Sequence, residues 1–148
     1  MQPSKQLRTS PLIRWSAAIS WMAFMFYLSA QSSLPSLYNR FEDLLSLAGH
    51  FIEYAVLALL LRSAIRGFFP AGIGSGASHA ARWAFVLAVA YGITDELHQH
   101  FVPGRYMDPL DLLMDAIGAA AALWVAGWVM GRRAANLESD AHRSSDLP

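Results

Sequence analysis

The chain has 148 residues, enough for one domain, and 55% of them are hydrophobic while only 15% are charged. Soluble domains carry about 25% charged residues, so this composition favours an integral membrane protein. The formal net charge is zero, which provides no basic field for nucleic acid, and the absence of cysteine excludes disulfides, thiolate metal sites and cysteine nucleophiles.

Four apolar segments approach the roughly 20 residues that an α-helix needs to cross a bilayer. In chain order they cover residues 13–30, 44–65, 83–99 and 110–130. A Gly-, Ala- and Ser-rich stretch over residues 66–82 predicts a flexible connection, and the polar residues 132–148 predict a disordered tail. The sequence therefore predicts an all-α, polytopic membrane protein with four transmembrane helices in one domain, residues 1–131, followed by a cytoplasmic tail.

The lysines and arginines indicate the orientation of these helices. All of them except Arg40 and Arg105 lie before or at the start of the first segment, around the connection between the second and third, or in the tail. Because such residues accumulate on the cytoplasmic side, both termini are predicted to be cytoplasmic. The connections after the first and third segments are then predicted to face outward.

Three of the segments carry polar faces near their outward ends. On the second segment, helical spacing places three side chains on one face: His50, Glu53 and Tyr54. The corresponding face of the third consists of Tyr91, Asp95, His98 and Gln99, and that of the fourth consists of Asp108, Asp111 and Asp115. The same spacing directs Glu96 elsewhere, and we expect it to be solvated or interfacial.

An ionised side chain costs about 2.5 to 3.5 kcal/mol near the bilayer centre, so Glu53 and Asp115 should face inward. The three faces are therefore predicted to meet in an outward-facing polar pocket. Crowded carboxylates can place a general acid beside a general base. Histidine and carboxylates can also hold a divalent metal, for which the candidates are His50, Glu53, Asp95 and Asp111.

Three further signals have local explanations. Asp108 followed by Pro109 predicts a helix cap with proline as the first helical residue. Pro103 and Gly104 predict a turn. The run of glycine and alanine over residues 118–122 predicts a close contact between helices.

The stretches "HFIEYAVLALLLR" and "YGITDELHQHFVPGRYMDPLDLLMDAIGA" resemble the VanZ-like family of small bacterial membrane proteins, over about residues 29–118. The positions that match the family pattern are His50, Tyr54, Asp95, Glu96, Gln99, Arg105 and Asp111. The family often has asparagine where this chain has Asp115. The resemblance implies a multi-pass protein of the bacterial inner membrane, and the family's namesake is associated with resistance to the glycopeptide antibiotic teicoplanin.

Two functions remain open. The chain could be a cell-envelope enzyme that acts on a lipid-linked or amphiphilic substrate at the outer leaflet, or a non-catalytic protein that binds a lipid head group or antibiotic there. For the enzyme, the catalytic candidates are His50, Glu53, Asp95, His98 and Asp111, and the binding candidates are Tyr54, Glu96, Gln99, Arg105 and Asp115. Arg105 would hold an anionic head group, because a guanidinium binds phosphate or carboxylate through two hydrogen bonds.

The expected partners are membrane lipids and a lipid-linked envelope precursor, not nucleic acid. The expected cofactor, if there is one, is a divalent metal. A proton-coupled carrier is a third and weaker interpretation, because four helices leave little room for a pathway.

Overall fold

A computed structural model of the chain describes residues 10–31, 40–68 and 74–145. Within these ranges the chain forms the helices α1 (Pro11–Ser29), α2 (Arg40–Ile65), α3 (Gly74–Gln99) and α4 (Pro109–Ser145), with a 3-10 turn at Arg66–Phe68 after α2. The described residues contain helices and turns without a strand, so the predicted all-α class is confirmed for them.

The starts of α1 and α4 follow from local sequence. Ser10 Oγ accepts a hydrogen bond from the Leu12 N–H at 3.2 Å, and Asp108 Oδ1 accepts one from the Leu110 N–H at 2.8 Å. Both bonds satisfy N–H groups that have no partner inside the helix. The cap predicted at Asp108 is thus confirmed. The predicted turn between α3 and α4 is also confirmed, since Gly104 has a φ of 82°, which disfavours a residue with a side chain.

Two boundaries differ from the sequence-based expectation. α3 begins at Gly74, inside the stretch that we expected to be a flexible connection, because the alanines of its first turns favour a helix and Ala80 packs into the core. α4 continues to Ser145, so residues 132–145 are helical where the sequence predicted disorder. Residues 146–148 of that predicted tail lie outside the described ranges.

The other three helices pack around α2, and the most extensive of these contacts is with α4. At one end of the bundle, the Arg14 side chain of α1 donates to the Ser63 carbonyl of α2 at 3.2 Å. Arg62 of α2 donates to Met130 Sδ of α4 at the same end, at 3.7 Å. The C-terminal ends of α1 and α3 and the N-terminal ends of α2 and α4 therefore meet at the opposite end of the bundle.

The bundle is apolar outside and carries polar residues inside. Large apolar side chains face outward along the helices, among them Phe26, Ile52, Trp83, Leu113 and Trp124. The buried polar and charged residues include His50, Asp95, Glu96, Gln99 and Asp115. An extended apolar surface of this kind marks contact with lipid or with another protein.

Two helical segments, Leu44–Phe68 and Pro109–Arg143, are long and apolar enough to cross a membrane. Of the most apolar 18-residue stretch in each segment, only 28% and 22%, respectively, is buried inside the bundle. A core helix of a soluble protein would bury most of its apolar residues, so these two helices indicate a membrane protein.

Candidate functional site

A histidine held between two carboxylates forms the centre of the polar end of the bundle. His50 Nδ1 of α2 lies 2.9 Å from Asp115 Oδ1 of α4, with the ring N–H donating to the carboxylate. His50 Nε2 lies 3.5 Å from Asp111 Oδ2, one turn earlier on α4. Asp115 is 1% exposed, so this pair lies deep between the helices. The structure therefore brings the polar faces of α2 and α4 together, as the spacing predicts.

The close approach of α2 and α4 depends on a glycine. A Cβ atom at Gly118 would collide with the backbone of Phe51, and its nearest atom would be the Phe51 carbonyl oxygen. Only glycine allows the two backbones to pack at this distance. The predicted helix contact at Gly118 is thus confirmed, and it sets the separation at which His50 reaches Asp115.

Glu96 of α3 joins this cluster, which contradicts the expectation that it is solvated or interfacial. It is 2% exposed, and its Oε2 accepts a hydrogen bond from the Asp108 backbone N–H at 2.8 Å. Its Oε1 is buried without a hydrogen-bond partner among the described residues. One Glu96 carboxylate oxygen, one His50 ring nitrogen and one Asp111 carboxylate oxygen lie within 4.8 Å of one another.

Asp95 and Gln99, one turn apart on α3, form a second buried pair. Gln99 Nε2 donates to Asp95 Oδ2 at 3.2 Å, which fixes the orientation of the carboxylate. Asp95 Oδ1 is buried and has no hydrogen-bond partner within the described part of the chain. This oxygen is therefore free to accept a proton or a hydrogen bond from a bound molecule.

Tyr54 lies behind the cluster and is fully buried at 0% exposure. Its ring is nearly parallel to that of His50, with the centroids 6.5 Å apart. A Cβ atom at Gly92 of α3 would lie 3.0 Å from Asp115 Oδ2 and 3.3 Å from Tyr54 Cε1. Tyr54 and Gly92 thus form the inner limit of the site.

Arg105, in the connection between α3 and α4, attaches this end of the bundle to α1. Its Nε donates to the Gln31 carbonyl at 3.2 Å and one terminal nitrogen donates to the Leu28 carbonyl at 3.5 Å. The Leu28 carbonyl also accepts the Gln31 N–H at 3.1 Å, so the arginine adds a second donor there and ties the residues that follow α1 to the connection between α3 and α4. A guanidinium has five N–H donors, and these two contacts leave others available.

A cavity of about 150 Å³ lies between α1, α2 and α3. Its charged lining residues are His50, Glu53, Asp95 and Arg105. A larger groove of about 560 Å³ shares Arg105 and Gln99 with the cavity and continues past Asp111 and Tyr106. The two spaces meet at Arg105, so one elongated ligand has room to extend from the cavity into the groove.

His98 does not join the cluster. Its ring stacks on Phe26 of α1, with the centroids 4.2 Å apart and the rings inclined by 27°. Helical spacing places His98 near Asp95, but α3 packs against α1 on that side as well as against α2. The structure therefore assigns His98 to the contact between α1 and α3.

Sequence reasoning missed Ser29, which lies at the end of α1. Its side chain is buried, lines the cavity and has an Oγ without a hydrogen-bond partner among the described residues. No periodic polar pattern on α1 indicates this role, since its neighbours are apolar. The only signal was its position in "FYLSAQSSLP", where the resemblance to the family begins.

The described residues form helices with an apolar exterior, two of them suited to a bilayer, around a buried cluster of carboxylates and histidine. These features define a small helical membrane protein. The VanZ/LLP1 family matches residues 14–130. The chain belongs to this family, and the resemblance found in the sequence is confirmed. No curated protein and no solved structure matches the chain.

Proposed function

We propose that the chain is a multi-pass protein of the bacterial inner membrane that acts on the head group of a lipid-linked or amphiphilic envelope compound. In this proposal all four helices cross the membrane, both termini are cytoplasmic and the cavity opens toward the outer leaflet. The positive-inside rule supports this orientation. Arg14, Arg62 and Arg66 lie at the end of the bundle opposite to the cavity.

The observation that carries the proposal is that Arg105 and Asp95 line the same small cavity. Arg105 supplies a cation for a phosphate or carboxylate group, and Asp95 supplies a buried carboxylate whose Oδ1 is unpaired among the described residues. The cavity of about 150 Å³ has room for a small polar head group.

The carboxylates in the cavity favour chemistry over simple retention of an anion. Glu53 and Asp95 would repel an anionic head group unless they take a proton or a hydrogen bond from it. Both nitrogens of His50 face carboxylates of α4, which leaves Glu53 and Asp95 as the groups that can accept a proton from a hydroxyl, an amine or water in the cavity. Arg105 would hold the anionic group while that proton moves.

The test is a comparison of the wild-type chain with Asp95→Asn and Arg105→Ala, each purified in mild detergent and incubated with an inner-membrane lipid extract. Mass spectrometry then measures which lipids are retained and which are converted. We expect Asp95→Asn to retain the lipid but to convert it at least about 100-fold more slowly, because asparagine keeps the shape of the carboxylate but not its basicity. Arg105→Ala should lose the retained lipid.

His100→Ala is the matched control, because His100 is exposed and lies next to the buried Gln99. It should retain and convert lipid as the wild type does. Wild-type conversion in Asp95→Asn would overturn the assignment of the base. If the wild type itself retains lipid without converting it, the chain is the non-catalytic binder instead. Because the family's namesake is associated with teicoplanin resistance, survival of an expressing host on teicoplanin is the matching cellular measurement.

A further inference from the structure

We propose that His50, Glu96 and Asp111 bind one divalent transition-metal ion, and that Asp115 orients His50 from outside the coordination sphere. The three ligand atoms come from α2, α3 and α4 and all lie within 4.8 Å of one another. The set differs from the one that the sequence suggested, since Glu96 takes the place of Glu53 and Asp95. The site adjoins the proposed head-group cavity, but its existence does not depend on any lipid.

The two nitrogens of His50 fit a metal ligand. Nδ1 faces Asp115 Oδ1 at 2.9 Å, which leaves Nε2 as the nitrogen with an available lone pair. Histidine ligands usually donate their other ring N–H to a carboxylate, which fixes the tautomer and raises the basicity of the ligating nitrogen. The contact between His50 and Asp115 has this form.

The separation of His50 and Asp111 also fits a metal site. Nε2 and Asp111 Oδ2 are 3.5 Å apart, which is long for a hydrogen bond. Two donors that each lie about 2.1 Å from a tetrahedral metal are themselves about 3.4 Å apart. The two atoms are thus already separated by about one edge of a coordination polyhedron.

Glu96 provides the independent observation. It is a carboxylate with 2% exposure, and although Oε2 accepts the Asp108 N–H, Oε1 is buried without a partner among the described residues. Burying an ionised carboxylate costs several kcal/mol, the one hydrogen bond to Oε2 offsets only part of this cost, and Asp111 and Asp115 add two more acidic groups to the same region. A divalent cation between Glu96, Asp111 and His50 would compensate this charge.

One imidazole nitrogen and two carboxylate oxygens suit Zn²⁺, Mn²⁺ or Fe²⁺. His50 lines the small cavity and Asp111 lines the larger groove, so the site adjoins both spaces that could hold a ligand. A metal bound there would supply a Lewis acid beside the head group.

The experiment uses the full-length chain without a polyhistidine tag, purified in detergent, stripped of metal with a chelator and titrated with Co²⁺. Visible absorption of Co²⁺ measures binding, and displacement by Zn²⁺ measures the affinity for zinc. We expect one Co²⁺ per wild-type chain. His50→Ala, Glu96→Gln and Asp111→Asn should each weaken binding at least about tenfold, and Asp115→Ala should weaken it by about 10- to 100-fold through the orientation of His50.

Glu53→Gln and Asp95→Asn are the matched controls, because both carboxylates line the same cavity but lie outside the ligand set. Both should lose less affinity for Co²⁺ than any of the three ligand variants, because they remove a nearby charge but no ligand. Glu96→Gln keeps an acceptor for the Asp108 N–H, so this variant removes a ligand charge without removing that hydrogen bond. Thermal unfolding of every variant without metal identifies any that fails to fold.

The proposal is overturned if the folded wild-type chain binds no stoichiometric Co²⁺, or if the Glu53 and Asp95 variants lose Co²⁺ while folded Glu96→Gln keeps it. No lipid is present in the titration. Failure of the metal site is therefore distinguishable from failure of the proposed head-group function, which is measured by lipid conversion.

Discussion

At the scale of single residues, His50 is the most constrained side chain of the site. It is buried, one ring nitrogen faces Asp115 and the other faces Asp111. A buried polar group whose partner is removed loses a hydrogen bond that water cannot replace. The stability of the bundle and the geometry of the site therefore depend on the same contacts.

Replacement of Asp115 tests this dependence. Asp115→Ala leaves the His50 Nδ1–H without its acceptor, and we expect it to lower the free energy of unfolding by about 1 to 3 kcal/mol. Asp115→Asn keeps an oxygen acceptor and should cost less. Unfolding in detergent, followed by circular dichroism, measures both. Asp140→Ala, on the exposed end of α4, is the control. Equal losses in the two Asp115 variants would contradict the importance of the hydrogen bond.

Glu96 shows why the sequence could not define the whole site. Neighbouring residues of a helix point about 100° apart, so a single polar face cannot include both Asp95 and Glu96. Both are nevertheless buried, because α3 contacts α2 and α4 together and has more than one buried side. Helical spacing identified His50, Asp111 and Asp115 correctly as neighbours. It could not show which helices pack against the other sides of α3.

At the scale of helices, Gly118 determines how closely α2 and α4 approach. We expect Gly118→Ala to force the two backbones apart and to lower the free energy of unfolding by about 1 to 3 kcal/mol, as overpacked cores do. It should also weaken Co²⁺ binding, because His50 and Asp111 lie on the two helices that separate.

Gly127→Ala is the matched control on the same helix, since a Cβ atom there has no neighbour within 4 Å. In a helix, alanine is more favourable than glycine, so this control should be neutral or slightly stabilising. A Gly118→Ala variant as stable as Gly127→Ala would contradict the close contact.

The end of α4 is helical although its side chains are not buried between the helices. Residues 131–143 are exposed, and one local contact there is Arg132 over the ring of Trp128, 4.1 Å from the centroid. Polar composition alone led to the prediction of disorder, whereas alanine, leucine, glutamate and arginine in this stretch favour a helix. The polar composition therefore predicts correctly that this segment is exposed, but it does not predict that the segment is helical.

Truncation after residue 133 tests whether this extension contributes to the bundle. We expect the helical signal in circular dichroism to fall while the midpoint of thermal unfolding and the binding of Co²⁺ stay unchanged, because the removed side chains are exposed. A lower midpoint would show that the extension packs against a surface outside the described contacts, such as a second copy of the chain.

At the scale of the whole molecule, the distribution of polar and apolar residues is the reverse of that in a soluble protein, with apolar residues outside and charged residues inside. Trp124 is 72% exposed while Asp115 is 1% exposed, a pattern that water would destabilise and a bilayer would stabilise. Composition was enough to predict this class. Composition could not show that the polar faces of α2, α3 and α4 meet, because this depends on how the helices pack.

The orientation in the membrane can be measured with introduced cysteines, because the natural chain has none. Tyr106→Cys lies in the exposed connection at the cavity end, and Leu137→Cys lies on the exposed end of α4. A membrane-impermeant maleimide applied to spheroplasts should label the first variant and label the second only after permeabilisation. The reverse pattern would place the cavity at the cytoplasmic face and overturn the outer-leaflet proposal.

The long separation in sequence between His50 and its partner has a consequence for biosynthesis. Asp115 follows His50 by 65 residues, and the Asp108 N–H that binds Glu96 belongs to the start of the last helix. In the proposed topology, α2 and α3 enter the membrane during translation before α4 can hydrogen-bond their polar groups. A chain that stops before α4 lacks the groups that His50 and Glu96 contact in the folded bundle, so we expect such a fragment to be less stable than the full chain.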